Sequence, residues 1–133
     1  MKIQKYDVYA KAEIAAYMHI SKLKVAPKLY AAWVCKDKAY IILEKLVKCQ
    51  KDPLPRVQVL LKRLEENGWL HGDVHDDNVM CTKTGRVVLI DFGYAVQRGK
   101  YPYANHKNKT YQEIKKAQRS QINSFDSSSY YSS

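Results

Sequence analysis

Two short runs of strand-forming residues, Val79–Thr82 and Val87–Ile90, flank the segment Lys83-Thr84-Gly85-Arg86. The glycine suits a tight turn, so the runs predict an antiparallel hairpin. Folded about Thr84-Gly85, it sets Lys83 opposite Arg86, Val79 opposite Ile90 and Asn78 opposite Asp91. Directly opposed residues in such a pair lie about 4.5–5.5 Å apart at Cα. An amide oxygen and a carboxylate then open from one end of one hairpin, a donor pair suited to Mg²⁺ beside substrate phosphates. Asp73, on the loop just upstream, adds a carboxylate within reach that can act as a base or orient a hydroxyl nucleophile. A rival grouping of His71, Asp73 and His75 would lie on one side of an extended segment. It would hold a metal as hydrolases do, and would leave Asn78 and Asp91 idle.

The net charge of +10 is unevenly spread. Residues 1–67 carry 14 Lys/Arg against 7 Asp/Glu, and residues 100–133 carry 6 against 2. Residues 68–99 carry 3 against 4, with Asp73, Asp76, Asp77 and Asp91 all in that stretch. A local acidic cluster suits a divalent cation, and basic surroundings suit a polyanion such as a nucleotide or nucleic acid. Three cysteines, Cys35, Cys49 and Cys81, show no CxxC spacing and are odd in number. They are expected as buried hydrophobes in a reducing, intracellular setting rather than as a disulfide framework. No apolar run approaches a membrane span and no signal-peptide core is visible, so a soluble, membrane-free chain of one domain is expected.

Upstream of the hairpin, Lys11–Leu23 reads as an Ala-rich helix with Ile14, Tyr17 and Met18 on one face and Glu13 near its start. Val25-Ala26-Pro27 breaks it. Leu29–Cys35 and Ala39–Leu43 read as a second antiparallel hairpin, and Lys48–Leu54 as a linker. A helix follows, with Pro55 at its start, Val57, Leu60, Leu61 and Leu64 at helical spacing, and Gly68 as its stop. Thr110–Arg119 can form a polar, basic helix, and Ser124–Ser133 is expected to be disordered.

His71-Gly72-Asp73-Val74-His75-Asp76-Asp77-Asn78 resembles the catalytic loop of the protein-kinase-like superfamily, and Ile90-Asp91-Phe92-Gly93 resembles its metal-binding Asp-Phe-Gly. The resemblance covers roughly residues 1–96. It implies Asp73 as catalytic base, Asn78 and Asp91 as Mg²⁺ ligands, and His71 as the structural histidine bracing the loop. It also implies that Ala39–Leu46 is the strand and hinge that hold adenine. Leu43 is then the gatekeeper, and the backbone from Glu44 to Leu46 lies against the base. Glu13 would be the helix glutamate that pairs with a strand lysine, for which Lys2 is the best candidate and Lys5 a poorer one. The cofactors implied are ATP and Mg²⁺. Gly72 stands where protein kinases usually have Arg, and His75 where Ser/Thr kinases usually have Lys. HGDxHxxN is closer to aminoglycoside phosphotransferases, choline kinases and certain atypical or viral protein kinases.

The fold expected is α+β, a minimal protein-kinase-like fold: a small antiparallel sheet with a glutamate-bearing helix, a hinge, and a truncated helical lobe carrying the catalytic-loop hairpin. Residues 1–99 would be the kinase-like domain, with 1–46 a partial upper lobe and hinge and 47–99 the catalytic part of the lower lobe. Residues 100–133 would be a basic, Ser/Tyr-rich tail. All five glycines lie at or after Gly68, which leaves no upstream Gly-rich phosphate loop in this chain. About 40 residues follow Asp91, too few for a full lower lobe. The first function implied is an ATP- and Mg²⁺-dependent Ser/Thr protein kinase of minimal size, of the sort large DNA viruses carry, cytoplasmic or virion-borne. An alternative is a kinase-mimicking module that binds a partner kinase. A small-molecule hydroxyl kinase and a basic nucleic-acid-associated protein come last.

Overall fold

A computed structural model of the chain describes residues 1–130. The first helix, α1 (Val8–Ile20), starts three residues before its expected position because Asp7 caps it. Asp7 Oδ1 accepts from Tyr9 N at 3.1 Å and Ala10 N at 3.0 Å. The earlier start moves Glu13 from the first turn to the middle of the helix, on the buried face with Ala10, Tyr17 and Ile20. Met18, expected on that face, is 65% exposed.

Ahead of α1 lies a strand the sequence reading missed, β1 (Lys2–Lys5). The hairpin of β2 (Leu29–Cys35) and β3 (Lys38–Leu43) forms as expected, and β1 adds to the other edge of β3. After β4 (Leu46–Val47) comes α2 (Leu54–Glu66), with Pro55 in its first turn and Val57, Leu60, Leu61 and Leu64 buried. Strand β5 (Trp69–Leu70) pairs with β8 (Val96–Gln97), and β6 (Val79–Thr82) pairs with β7 (Val87–Leu89). Strand β4 covers the outer edge of β6. The main core joins α1, α2 and the β6–β7 hairpin through Tyr17, Ile20, Leu60, Leu64, Leu89 and Phe92.

Three expectations are corrected. The β6–β7 register is one residue off: Val79 faces Leu89 and Cys81 faces Val87. The connection is a three-residue loop closed on Thr82, whose carbonyl accepts from Gly85 N and whose Oγ1 accepts from Arg86 N. Gly85 takes the positive φ of 91° that such a loop needs. Asn78 is therefore opposite Ile90, with Ile90 N donating to the Asn78 carbonyl at 2.9 Å. Second, Cys49 and Cys81 form a disulfide, and Cys35 is free and exposed rather than buried. The pairing of β4 with β6 sets Val47 opposite Cys81, which delivers Cys49 to it from 32 residues away.

Third, residues 100–123 are built into the lower half of the molecule rather than trailing from it. Helix α3 (Tyr111–Asn123) has a complete capping box between Thr110 and Glu113. Its Tyr111 and Ile114 pack with Leu70, Val96 and Tyr103 in a second buried cluster. Of the stretch 124–133, Ser128–Tyr130 form a short 3-10 turn, and residues 131–133 lie outside the described residues. Among the described residues, no helix is long and apolar enough to cross a membrane.

Candidate active site

A cleft of about 750 Å³ runs between the upper sheet and the β6–β7 hairpin. Its lining includes Lys2, Glu13, Tyr17, Leu43, Asn78 and Asp91. Strand alternation places Lys2 and Gln4 on the same side of β1, toward α1. Glu13 Oε1 and Oε2 accept from Lys2 Nζ at 2.9 and 3.1 Å, and Oε1 accepts from Gln4 Nε2 at 2.6 Å. Glu13 is 1% exposed, so a carboxyl group there needs such donors. Lys2 Nζ also lies 3.9 Å from Asp91 Oδ1, which stands it between the helix acid and the hairpin acid. Lys5 is exposed on the outer side of β1. Burial, reinforced by the Glu13 charge, pushes the Tyr17 hydroxyl pKa far up, so this group remains a proton donor beside the cleft.

Asp91 follows β7 with φ of 59°, a left-handed conformation that costs a non-glycine residue about 1–2 kcal/mol. Strain of this kind gathers where a side chain must be aimed. Phe92, the next residue, is buried between Tyr17 and His71, with ring centroids 5.3 and 4.7 Å away in edge-on geometry. One turn of the chain thus puts a carboxylate in the cleft and a phenyl ring in the core.

His71 is fully buried, and both of its ring nitrogens are engaged. Asp73 N donates to Nδ1 at 3.2 Å, so Nε2 carries the proton and donates to the Ile90 carbonyl at 2.7 Å. Burial holds its pKa below the usual histidine value, which keeps this tautomer neutral. The ring therefore ties the loop before Asp73 to the strand end before Asp91. It also rules out the hydrolase-like metal set of His71, Asp73 and His75, because no lone pair of His71 is left.

Asn78 donates from Nδ2 to the Asp73 carbonyl at 2.8 Å, to Asp73 Oδ2 at 3.2 Å and to His75 Nε2 at 3.0 Å. Three acceptors on one side fix the amide, and Oδ1 is the atom left for a cation. Asn78 Oδ1 and the Asp91 carboxylate form an all-oxygen donor pair at the cleft, which fits Mg²⁺. Asp73 itself keeps a third of its side chain exposed.

At the other end of the cleft, Leu43, Glu44 and Leu46 line the wall. Glu44 turns its side chain away, accepting from Lys28 N at 2.8 Å and from Arg86 Nη2 at 3.2 Å. Its backbone N–H donates to the Lys28 carbonyl at 2.9 Å, which leaves the Glu44 carbonyl for a ligand. Gly72, which replaces the arginine of protein kinases, has φ of 88°. A Cβ there would collide with the Tyr94 carbonyl and meet His106 Nε2 at 2.9 Å, so no side chain fits.

Sequence reasoning missed Gln4, Gln118 and Gln121. The last two come from α3 and bond the backbone of residues 71–74. The available signal was a glutamine at helical spacing from Tyr111 and Ile114, on what is otherwise an apolar face.

No curated protein matches the chain. Among solved structures, that of WbdD is similar with a TM-score of 0.61 at 19% identity, over 92% of this chain and 32% of that one. The chain thus spans about a third of that protein's length, and the likeness establishes a kinase-like fold. Residues 4–97 match the phosphotransferase enzyme family, a span that holds Glu13, His71, Asp73, Asn78 and Asp91. With most of its length in that match and the fold in agreement, the chain belongs to the phosphotransferase enzyme family.

Proposed function

We propose that this chain transfers the γ-phosphoryl group of Mg²⁺-ATP to a hydroxyl, that of a protein Ser or Thr in the first instance. The observation that carries the reading is the convergence of Lys2, Glu13, Asp91 and Asn78 on one cleft, from three separate elements. Adenine would lie against Leu43 and the backbone from Glu44 to Leu46. Lys2, held by Glu13, would meet the phosphates as a point charge. Asn78 and Asp91 would hold Mg²⁺, which when bound neutralises charge on the phosphates. Asp73 would accept a hydrogen bond from the acceptor hydroxyl and so aim its oxygen.

The acceptor side supports a peptide. Asp73, Asp91, Tyr9 and Tyr94 border it, each between a third and a half exposed. A small molecule usually needs a pocket that buries most of its surface, whereas an extended peptide can lie across an open one.

The test is Mg²⁺-ATP binding by calorimetry, with phosphate transfer to a Ser/Thr peptide library and to a panel of small hydroxylated compounds. Wild type should bind and transfer to peptide, and Asp91→Ala should lose both. Equal binding by the two proteins would remove Asp91 from the metal site. Transfer confined to the small compounds would replace the protein acceptor. The absence of nucleotide binding would instead favour a non-catalytic module that engages a partner kinase.

A further inference from the structure

The loop from His71 to Val74 lies between β5 and the turn before β6, with no strand or helix to partner its backbone. All four of its amide N–H groups are nevertheless satisfied. Gln118 Oε1 accepts from His71 N at 3.1 Å and from Gly72 N at 3.2 Å. Gln121 Oε1 accepts from Val74 N at 2.8 Å, and its Nε2 donates to the Gly72 carbonyl at 3.3 Å. Asp73 N takes the remaining acceptor, His71 Nδ1. Gln121 therefore clamps the peptide planes on both sides of Asp73, and Gln118, from the same helix, holds the two planes before them.

The clamp is not incidental to packing. Gln118 is 4% exposed, and a buried amide is retained only where its hydrogen bonds repay its desolvation. Helix α3 is anchored independently of it by Tyr111 and Ile114, by the Thr110–Glu113 capping box, and by Lys115 Nζ at 2.6 Å from Glu65 Oε1. Both glutamines also lie beyond residues 4–97, the span of the family match.

We infer that Gln118 and Gln121 are positioning residues for phosphoryl transfer, acting through the backbone of residues 71–74 to hold Asp73 against the acceptor hydroxyl. The inference rests on the phosphotransferase reading for its kinetic consequence, though not for its structural one. Lys2, Glu13, Asn78 and Asp91 stand on other elements, so the clamp bears on the base and acceptor side of the site more than on nucleotide binding.

The variants are Gln118→Leu, Gln121→Leu and Gln121→Glu in the full chain. Each is followed by kcat and KM, by the Kd for Mg²⁺-ATP, and by amide hydrogen exchange at His71, Gly72 and Val74. Gln118→Leu frees two buried N–H groups and should lower kcat about 100-fold, the scale of a misplacement near 1 Å. The Mg²⁺-ATP Kd should stay unchanged, and exchange should speed up at His71 and Gly72 while α2 stays protected. Gln121→Glu keeps the acceptor for Val74 N and should recover most of the kcat that Gln121→Leu loses. Unchanged kcat in both leucine variants would overturn the inference. So would kcat, nucleotide affinity and α2 protection falling together, since that marks general unfolding. If wild type transfers no phosphate, the function fails and the exchange data alone judge the clamp: unaltered loop exchange in Gln121→Leu, which sits at the helix end and perturbs folding least, would refute it.

Discussion

Removing the Cys49–Cys81 bridge should destabilise this chain by an amount that its topology sets. The bond closes a loop of 32 residues, which include all of α2, all of β5 and the His71–Asn78 loop. In the chain-entropy description, a loop of that length removes about 12 cal/mol/K from the unfolded state, or about 3.7 kcal/mol at 25 °C. Unfolding entropy of about 2.1 cal/mol/K per residue over 133 residues gives about 0.28 kcal/mol/K. The midpoint of thermal unfolding should therefore fall by about 13 °C. The assay is a melt followed by far-UV circular dichroism, with and without a phosphine reductant, on wild type and on a Cys49→Ser/Cys81→Ser double variant. Wild type should drop to the midpoint of the variant on reduction, and the variant should ignore the reductant. Cys35, exposed and unpaired, should react with an alkylating reagent before any reduction. A wild-type midpoint that moves by less than about 3 °C, with both bridge cysteines alkylated in the native protein, would refute the loop-constraint argument.

Gly72→Ala forces a Cβ against the Tyr94 carbonyl at a positive φ, and should cost at least about 2 kcal/mol in urea unfolding. A neutral result would mean that the loop can shift and that the glycine is not sterically required. For pH, burial keeps the pKa of His71 below 6.5 in the fold, while the unfolded chain regains 6.5. Below pH 6.5 the unfolded state therefore binds a proton that the folded state refuses. Stability present above 6.5 is lost as pH falls toward the lower folded value, by up to about 1.4 kcal/mol per pH unit for one proton. Urea midpoints at pH 7.5, 6.5 and 5.5 check the slope, and the ring nitrogen shifts of His71 should titrate at a lower pH in the folded protein than in the unfolded chain. A ring that titrates at or above 6.5 in the folded protein would sink the assignment.

How much of this was legible in the sequence depended on the range over which each contact forms. The β6–β7 hairpin is local, so Gly85 and its flanking strand formers announced it, and its ends were bound to bring Asn78 near Asp91. The register slipped by one because Thr82 closes the turn with its hydroxyl, which makes a three-residue loop of what read as two. Pattern alone could not see that, since a side-chain acceptor competes with the backbone on equal terms. Glu13 and Lys2 were identified through resemblance, and the four residues of β1 are too few for alternation to declare a strand. The disulfide was hidden for a different reason. Its two cysteines meet only because β4 adds to β6, and a two-residue strand has no signature at all.

The site is therefore assembled by links of unequal reach, and the reach follows the division of labour. Lys2 finds Glu13 across 11 residues, and Asn78 and Asp91 are joined by one hairpin. Gln118 reaches His71 across 47 residues. Loop-closure entropy grows only as the logarithm of length, so the long link costs about 1.3 kcal/mol more than the short one, comparable to a single net hydrogen bond. Four such bonds run between the glutamines and residues 71–74, and they outweigh that cost. On the proposed function, the groups that would meet nucleotide and metal all lie inside residues 4–97 except Lys2, two residues before that span. The groups that hold the base side in shape come from beyond it. A loop whose amides need only an oxygen acceptor, presented from a firmly docked helix, can take it from several side-chain types. That degeneracy is why the helix carries no motif, even though the geometry around Asp73 depends on it.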